Sequence, residues 1–241
     1  MGAGVVTLRE GFEASLIVGI VLAFLDRTGR RDGFLAVWIG AMLAVTLSIA
    51  FGVGLFLVGA ELEGTAEAVW EGGTMLVAAG LLTWMVFWMR KQARFIRKDL
   101  EGRVQAALAA GSSLALGTVA FVGVAREGLE TSLFLFSSTE GGKSTVSVIA
   151  GIVGLGLSIV LGYAFYRGSS RLDLRKFFTL TSALLLVFAG YLLASGLHEL
   201  AEAGIFPESE ALLVAAFVAL AAPTLWFYFR PQRATTTQPS A

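Results

Sequence analysis

The chain has 241 residues, 56% apolar and 15% charged, with a mean hydropathy of +0.77, a composition far from a soluble domain and typical of a polytopic membrane protein. Basic and acidic residues balance at 18 each, so the total charge draws neither nucleic acid nor anionic partners. The absence of cysteine excludes disulfides, thiolate metal sites and Cys nucleophiles, and a single histidine, His198, argues against a multi-His zinc or copper site; any metal site must be built mainly from oxygen.

Seven stretches are long and apolar enough to cross a hydrocarbon core of ~30 Å, which takes about 20 helical residues: 5–25, 33–59, 72–89, 108–136, 146–166, 177–197 and 211–229. The first does not read as a cleaved signal peptide, because no basic residue precedes it and its charges follow it. The tail 230–241, rich in Thr and Pro, reads as a disordered cytoplasmic segment behind one membrane domain, 1–229.

Within the first and fourth stretches the chain repeats a pentapeptide, Arg9-Glu10-Gly11-Phe12-Glu13 and Arg126-Glu127-Gly128-Leu129-Glu130. Each ionised group at a membrane helix centre costs at least ~2.5–3.5 kcal/mol, so six such groups are not there for packing. Helical spacing puts Glu10 and Glu13 on one face, and Glu127 and Glu130 likewise. At 1.5 Å per residue, both pairs lie roughly 8 to 14 Å below the outer edge of their spans, so the four carboxylates can meet at one level.

The loops divide by charge. Those at 26–32, 90–107 and 167–176, with the tail, carry fifteen basic residues, among them Arg27, Arg94, Arg97, Lys98 and Arg103. The other side holds only Lys143, with nine acids: Glu61, Glu63, Glu67, Glu71, Glu140, Glu199, Glu202, Glu208 and Glu210. The positive-inside rule therefore sets the amino terminus outside and the carboxyl terminus inside. Spans one to three and four to six run in opposite senses, and the motif opens each half. That predicts a 3+3 inverted repeat plus one helix, with the site near the midplane. Beyond the motif the halves show little likeness, Leu8–Ile17 against Ala125–Leu135 being the one clear match. Gly11 and Gly128, and Gly151, Gly154 and Gly156 of span five, are expected to let helices approach closely.

Four converging glutamates repel, and Arg9 and Arg126 leave a formal charge of −2. A hard multivalent cation relieves that, Fe(III), Mn(II), Mg(II) or Ca(II) by chemistry alone. The arginines lower the resting repulsion and hold carboxylates while no cation is bound. Two other readings stand beside this one. The arginines could serve only as i,i+4 ion pairs, which leaves one glutamate per helix unpaired, or the glutamates could relay protons in a proton-coupled carrier.

The paired R-E-G-x-E motifs, the seven spans, the N-out orientation and the stretch Leu82-Thr83-Trp84-Met85-Val86-Phe87-Trp88-Met89-Arg90-Lys91 together resemble the high-affinity iron permease family, the oxidase-dependent iron and lead transporters, in its bacterial ferrous-iron-uptake branch. The likeness runs from about Val5 to Phe229. It implies iron permeation across the inner membrane, with Glu10, Glu13, Glu127 and Glu130 binding the ion and no organic cofactor. It also implies an extracytoplasmic oxidase or periplasmic delivery proteins, cupredoxin-like and haem-peroxidase, as partners beside membrane lipid; a homo-oligomer stays open. The rival of another class is a metal-responsive membrane sensor or assembly subunit that binds iron without moving it.

Glu67 and Glu71 before span three, and His198, Glu199 and Glu202 after span six, read as an outer vestibule that concentrates cations. Glu61, Glu63, Glu208 and Glu210 read as solvated loop acids. By the resemblance, Glu71 matches the second acid of an outer-loop E-x-W-E pattern whose first acid is here Ala68, with Glu67 displaced by one. His198-Glu199 resembles the family's H-E segment, and His198 is equally well placed as an interfacial residue. The sequence H-E-x-x-E lacks the second histidine of a zinc protease.

Overall fold

The computed structural model describes residues 2–92, 96–109, 111–138, 145–166, 174–205 and 209–229. Its elements are α1 (Gly2–Arg27), a 3-10 turn (Arg31–Gly33), α2 (Phe34–Glu61), α3 (Thr65–Gln92), α4 (Ile96–Ala109), α5 (Ser113–Ser138), α6 (Thr145–Tyr166), α7 (Leu174–Glu202) and α8 (Glu210–Phe229). An all-helical chain is what lipid demands, since a helix satisfies its own backbone polar groups. Among the described residues, four helical segments are long and apolar enough to cross a membrane, 31–61, 65–89, 145–166 and 177–202, with a shorter apolar stretch at Leu213–Thr224. In α1 and α5 the motif charges interrupt the apolar run.

Two expectations are corrected. The basic segment 90–107 is not simply a loop: from Ile96 it forms α4. That helix is amphipathic, and Leu100, Val104 and Ala107 join a core with Val21, Leu22 and Leu25 of α1 and Leu116 and Ala120 of α5. The span expected at 108–136 is split. Gly111, at φ 64°, adopts a left-handed conformation that suits glycine, and α5 starts only at Ser113. The side chains of Arg97 and Lys98, the residue Arg94, the loop residues Glu140, Lys143 and Glu208, and the tail 230–241 lie outside the described residues.

The weak likeness between the halves is corrected too. The most extensive contacts are of α1 with α6, α2 with α5, and α3 with α7, with α1 also crossing α5. Exchanging α1 with α5, α2 with α6 and α3 with α7 maps this pattern onto itself. Gly11 of α1 faces Ser158 of α6, and Gly128 of α5 faces Ser48 of α2. The residues making these contacts repeat: Leu47-Ser48-Ile49-Ala50-Phe51-Gly52 matches Leu157-Ser158-Ile159-Val160-Leu161-Gly162. Ala41, Ala44, Ser48 and Gly52 are buried on one stripe of α2, as Gly151, Gly154, Ser158 and Gly162 are on α6. In the third pair, Leu76-Val77-Ala78-Ala79-Gly80-Leu81-Leu82 matches Leu186-Val187-Phe188-Ala189-Gly190-Tyr191-Leu192. Gly156, expected at a helix contact, has open space around it.

Small residues let these helices touch at backbone distance, the mode of association available where lipid removes the hydrophobic drive. Interhelical hydrogen bonds add to it: Thr7 Oγ1 donates to Gly151 O at 2.8 Å, and Ser132 Oγ to Ser48 O at 2.8 Å. The outward faces of α2 and α6 stay apolar and exposed, Leu35, Ile49 and Leu57 on one, Val146, Ile152 and Val160 on the other. Such faces suit acyl chains.

Candidate metal centre

Glycine at the middle of each motif brings α1 against α6 and α5 against α2, and this fixes the rotation of both motif helices. The charged residues then turn toward the α1–α5 crossing. Arg9 and Glu10 are fully buried, and Glu13 and Glu127 are each 6% exposed.

Each arginine takes the glutamate one turn on. Arg9 Nε donates to Glu13 Oε1 at 2.9 Å, and Arg126 Nε to Glu130 Oε1 at 3.0 Å. Arg126 Nε also lies 3.9 Å from Glu127 Oε1. These pairs leave the middle carboxylates over. Both oxygens of Glu10, and one each of Glu127 and Glu130, are buried without a hydrogen-bond partner, as are Nη1 and Nη2 of Arg9. A buried carboxylate oxygen without a partner carries its full desolvation cost.

One carboxylate oxygen from each of Glu10, Glu127 and Glu130 lies within 4.8 Å of the other two. Three oxygens so spaced lie no more than about 2.8 Å from a common centre, so a small inward adjustment of the side chains brings all three to the roughly 2.1–2.4 Å bonds of one hard cation. Glu13, expected as the fourth ligand, stands outside this group in its ion pair with Arg9.

The acids expected at the outer mouth are more dispersed. Glu71 is buried and Glu67 half-buried, whereas Glu61 and Glu63 are exposed. Glu199 approaches from α7: a Cβ on Gly72 would stand 3.1 Å from that of Glu199, which puts Glu199 against the residue that follows Glu71. His198 Nε2 lies 3.2 Å from Glu202 Oε1. Glu71 and Glu199 therefore share one end of the α3–α7 contact.

Two features went unassigned in the sequence. Trp88 holds the Arg126 guanidinium over its ring, 4.4 Å from the centroid; the Trp-Met run was visible, but nothing linked it to Arg126. Ser48 and Ser158 sit against the motif glycines, and the repeated Leu-Ser-Ile-x-x-Gly was the signal that could have found them.

The model of the iron permease FTR1 family matches residues 1–215 of this chain. The chain belongs to that family. Among curated relatives, the ferrous iron permease EfeU of Yersinia pestis is 37% identical over 203 residues, covering 83% of this chain and 72% of the relative. That of Escherichia coli O157:H7 is 36% identical over 203 residues, covering 83% and 74%. The inactive ferrous iron permease EfeU of Escherichia coli K12, so described, is also 36% identical over 203 residues. No solved structure matches. With four helices able to cross a bilayer among the described residues, this iron permease family member is a multi-pass membrane protein.

Proposed function

We propose that the protein imports iron across the inner membrane, through a site between α1 and α5 to which Glu10, Glu127 and Glu130 contribute first. Glu13 joins as the fourth ligand when it leaves Arg9. The observation that carries this reading is the convergence of three carboxylates, Glu10 and Glu127 buried and Glu130 half-buried, in which both oxygens of Glu10 and one each of Glu127 and Glu130 lack hydrogen-bond partners, in a bundle of helices otherwise built from apolar and small residues. The cation that enters is the missing partner. Arg9 and Arg126 hold Glu13 and Glu130 meanwhile.

In this reading α1, α2, α3, α5, α6, α7 and α8 are the seven spans, N-out and C-in. The relative directions of the helices support it. Contacts of Gly4 with Ala150, Gly11 with Ser158 and Gly162 with Ser15 run α1 and α6 side by side in one sense, and α2 and α5 pair likewise. Because the chain has no cysteine, single Glu63→Cys and Arg103→Cys variants test the topology directly: a membrane-impermeant maleimide should label the first from outside and the second only after permeabilisation. An extracytoplasmic oxidase or periplasmic delivery protein is proposed to present iron at the end bearing Glu67, Glu71, His198, Glu199 and Glu202.

The deciding experiment is radio-iron entry into liposomes containing the purified protein. Time-dependent accumulation lost in Glu10→Gln and Glu127→Gln supports the permease. Binding without accumulation would instead identify a sensor or assembly subunit.

A further inference from the structure

The two motif arginines occupy corresponding places but differ in what holds them. Arg9 is sealed, its side chain 0% exposed, whereas that of Arg126 is 34% exposed. A guanidinium with that much freedom should turn to the richest acceptors in reach. Glu127 Oε1 is already 3.9 Å from Arg126 Nε, and the second oxygens of Glu127 and Glu130 lack hydrogen-bond partners. Arg126 nevertheless makes one hydrogen bond, to Glu130, with its guanidinium carbon 4.4 Å from the centre of the Trp88 ring.

Trp88 is a firm platform. It packs against the core formed by Met75, Met85, Met89, Leu185 and Leu192, and its ring stacks with that of Trp84 at 6.2 Å. A guanidinium lying over an indole is held there by the ring quadrupole, which restrains where its donors can go. The stack thus fixes which way Arg126 can point. In the second half the position corresponding to Trp88 is His198, which pairs with Glu202, so this device belongs to one half only.

From this we infer that Trp88 is a positioning residue for the metal site: it keeps Arg126 off Glu127 and leaves the carboxylates of Glu127 and Glu130 open to the cation. Without the indole, Arg126 closes on Glu127 and Glu130 together and competes with iron. The inference rests on the proposed iron site, and the experiment is arranged to separate the two.

Four variants are compared with the unaltered protein: Trp88→Leu, Trp88→Phe, Arg126→Gln and the double Trp88→Leu/Arg126→Gln. Uptake of ferrous ion into liposomes is measured against concentration under anaerobic conditions. Trp88→Leu should raise half-saturation on the order of tenfold while the maximal rate changes by less than about twofold, and Trp88→Phe should recover most of the loss. In the Arg126→Gln background, Trp88→Leu should change half-saturation no further, because the residue acts through Arg126. An equal shift in both backgrounds, or a collapse of the maximal rate alone, would overturn the inference. Melting temperatures of the same four variants in detergent, without iron, read the Trp88–Arg126 coupling independently. If the unaltered protein moves no iron, the functional reading fails, while additive melting shifts would reject the positioning role and non-additive ones sustain it.

Discussion

The hydroxyl of Ser158 occupies the space beside Gly11 so closely that a Cβ on Gly11 would stand 2.3 Å from Ser158 Oγ; on the opposite side of the bundle, a Cβ on Gly128 would stand 2.1 Å from Ser48 Oγ. These contacts set the rotation of both motif helices, and with it the direction of every charged side chain in the site. Gly11→Ala should therefore cost about 1–3 kcal/mol of stability by overpacking. Ser158→Gly removes the obstructing atoms and should recover most of that loss in the double variant. Thermal unfolding in detergent of the two single variants and the double checks it. An additive outcome would show that the glycine is needed for some other reason.

Arg9 and Glu13 form a pair with side chains 0% and 7% exposed. Removing one partner strands the other, so Glu13→Ala should destabilise the protein by about 3–5 kcal/mol, and replacing both by Leu should cost much less. Arg9→Lys keeps the charge but loses the fork, and should fall between the parent and Arg9→Ala. Expression level and melting temperature report the ranking. Iron uptake should be lost in the double Leu variant even where the fold is kept, because the fourth carboxylate is gone.

The three converging carboxylates should act as one unit. Glu10→Gln, Glu127→Gln and Glu130→Gln should each weaken ferrous ion binding by at least about a hundredfold, and any two together should add little. Titration of the detergent-purified variants with ferrous ion measures this. Glu→Asp at the same positions should also fail or nearly so, since shortening by one methylene withdraws an oxygen whose place is set by helix packing. Near-parent affinity in two of the three Gln variants would reject the site.

The outer acids should change affinity rather than rate. Changing Glu71, Glu199 and Glu202 together to Gln should raise the iron concentration for half-maximal uptake and flatten its dependence on ionic strength, leaving the maximal rate within about twofold. Uptake curves at two salt concentrations test this. Loss of maximal rate at unchanged half-saturation would show that these residues are ligands on the path.

Much of this was legible in one dimension. Charge inside an apolar run is so costly that two copies of Arg-Glu-Gly-x-Glu announce a site before any tertiary contact is known. The all-helical class, the metal chemistry and the family likeness follow from that and from the hydropathy. What the sequence could not show is which carboxylates meet. The i,i+4 spacing already offers Glu13 to Arg9, but only the crossing of α1 with α5 brings Glu10, and not Glu13, into the cluster with Glu127 and Glu130. The second and third repeats were also written there, but matches such as Leu47–Gly52 with Leu157–Gly162 are short and apolar, and gain meaning only when the two stripes are seen against Gly128 and Gly11. Helix α4 was hidden by its charges, which read as a basic loop and masked the apolar face of Leu100 and Val104. The seat of Arg126 over Trp88 is a contact between helices far apart in the chain, decided by tertiary structure alone.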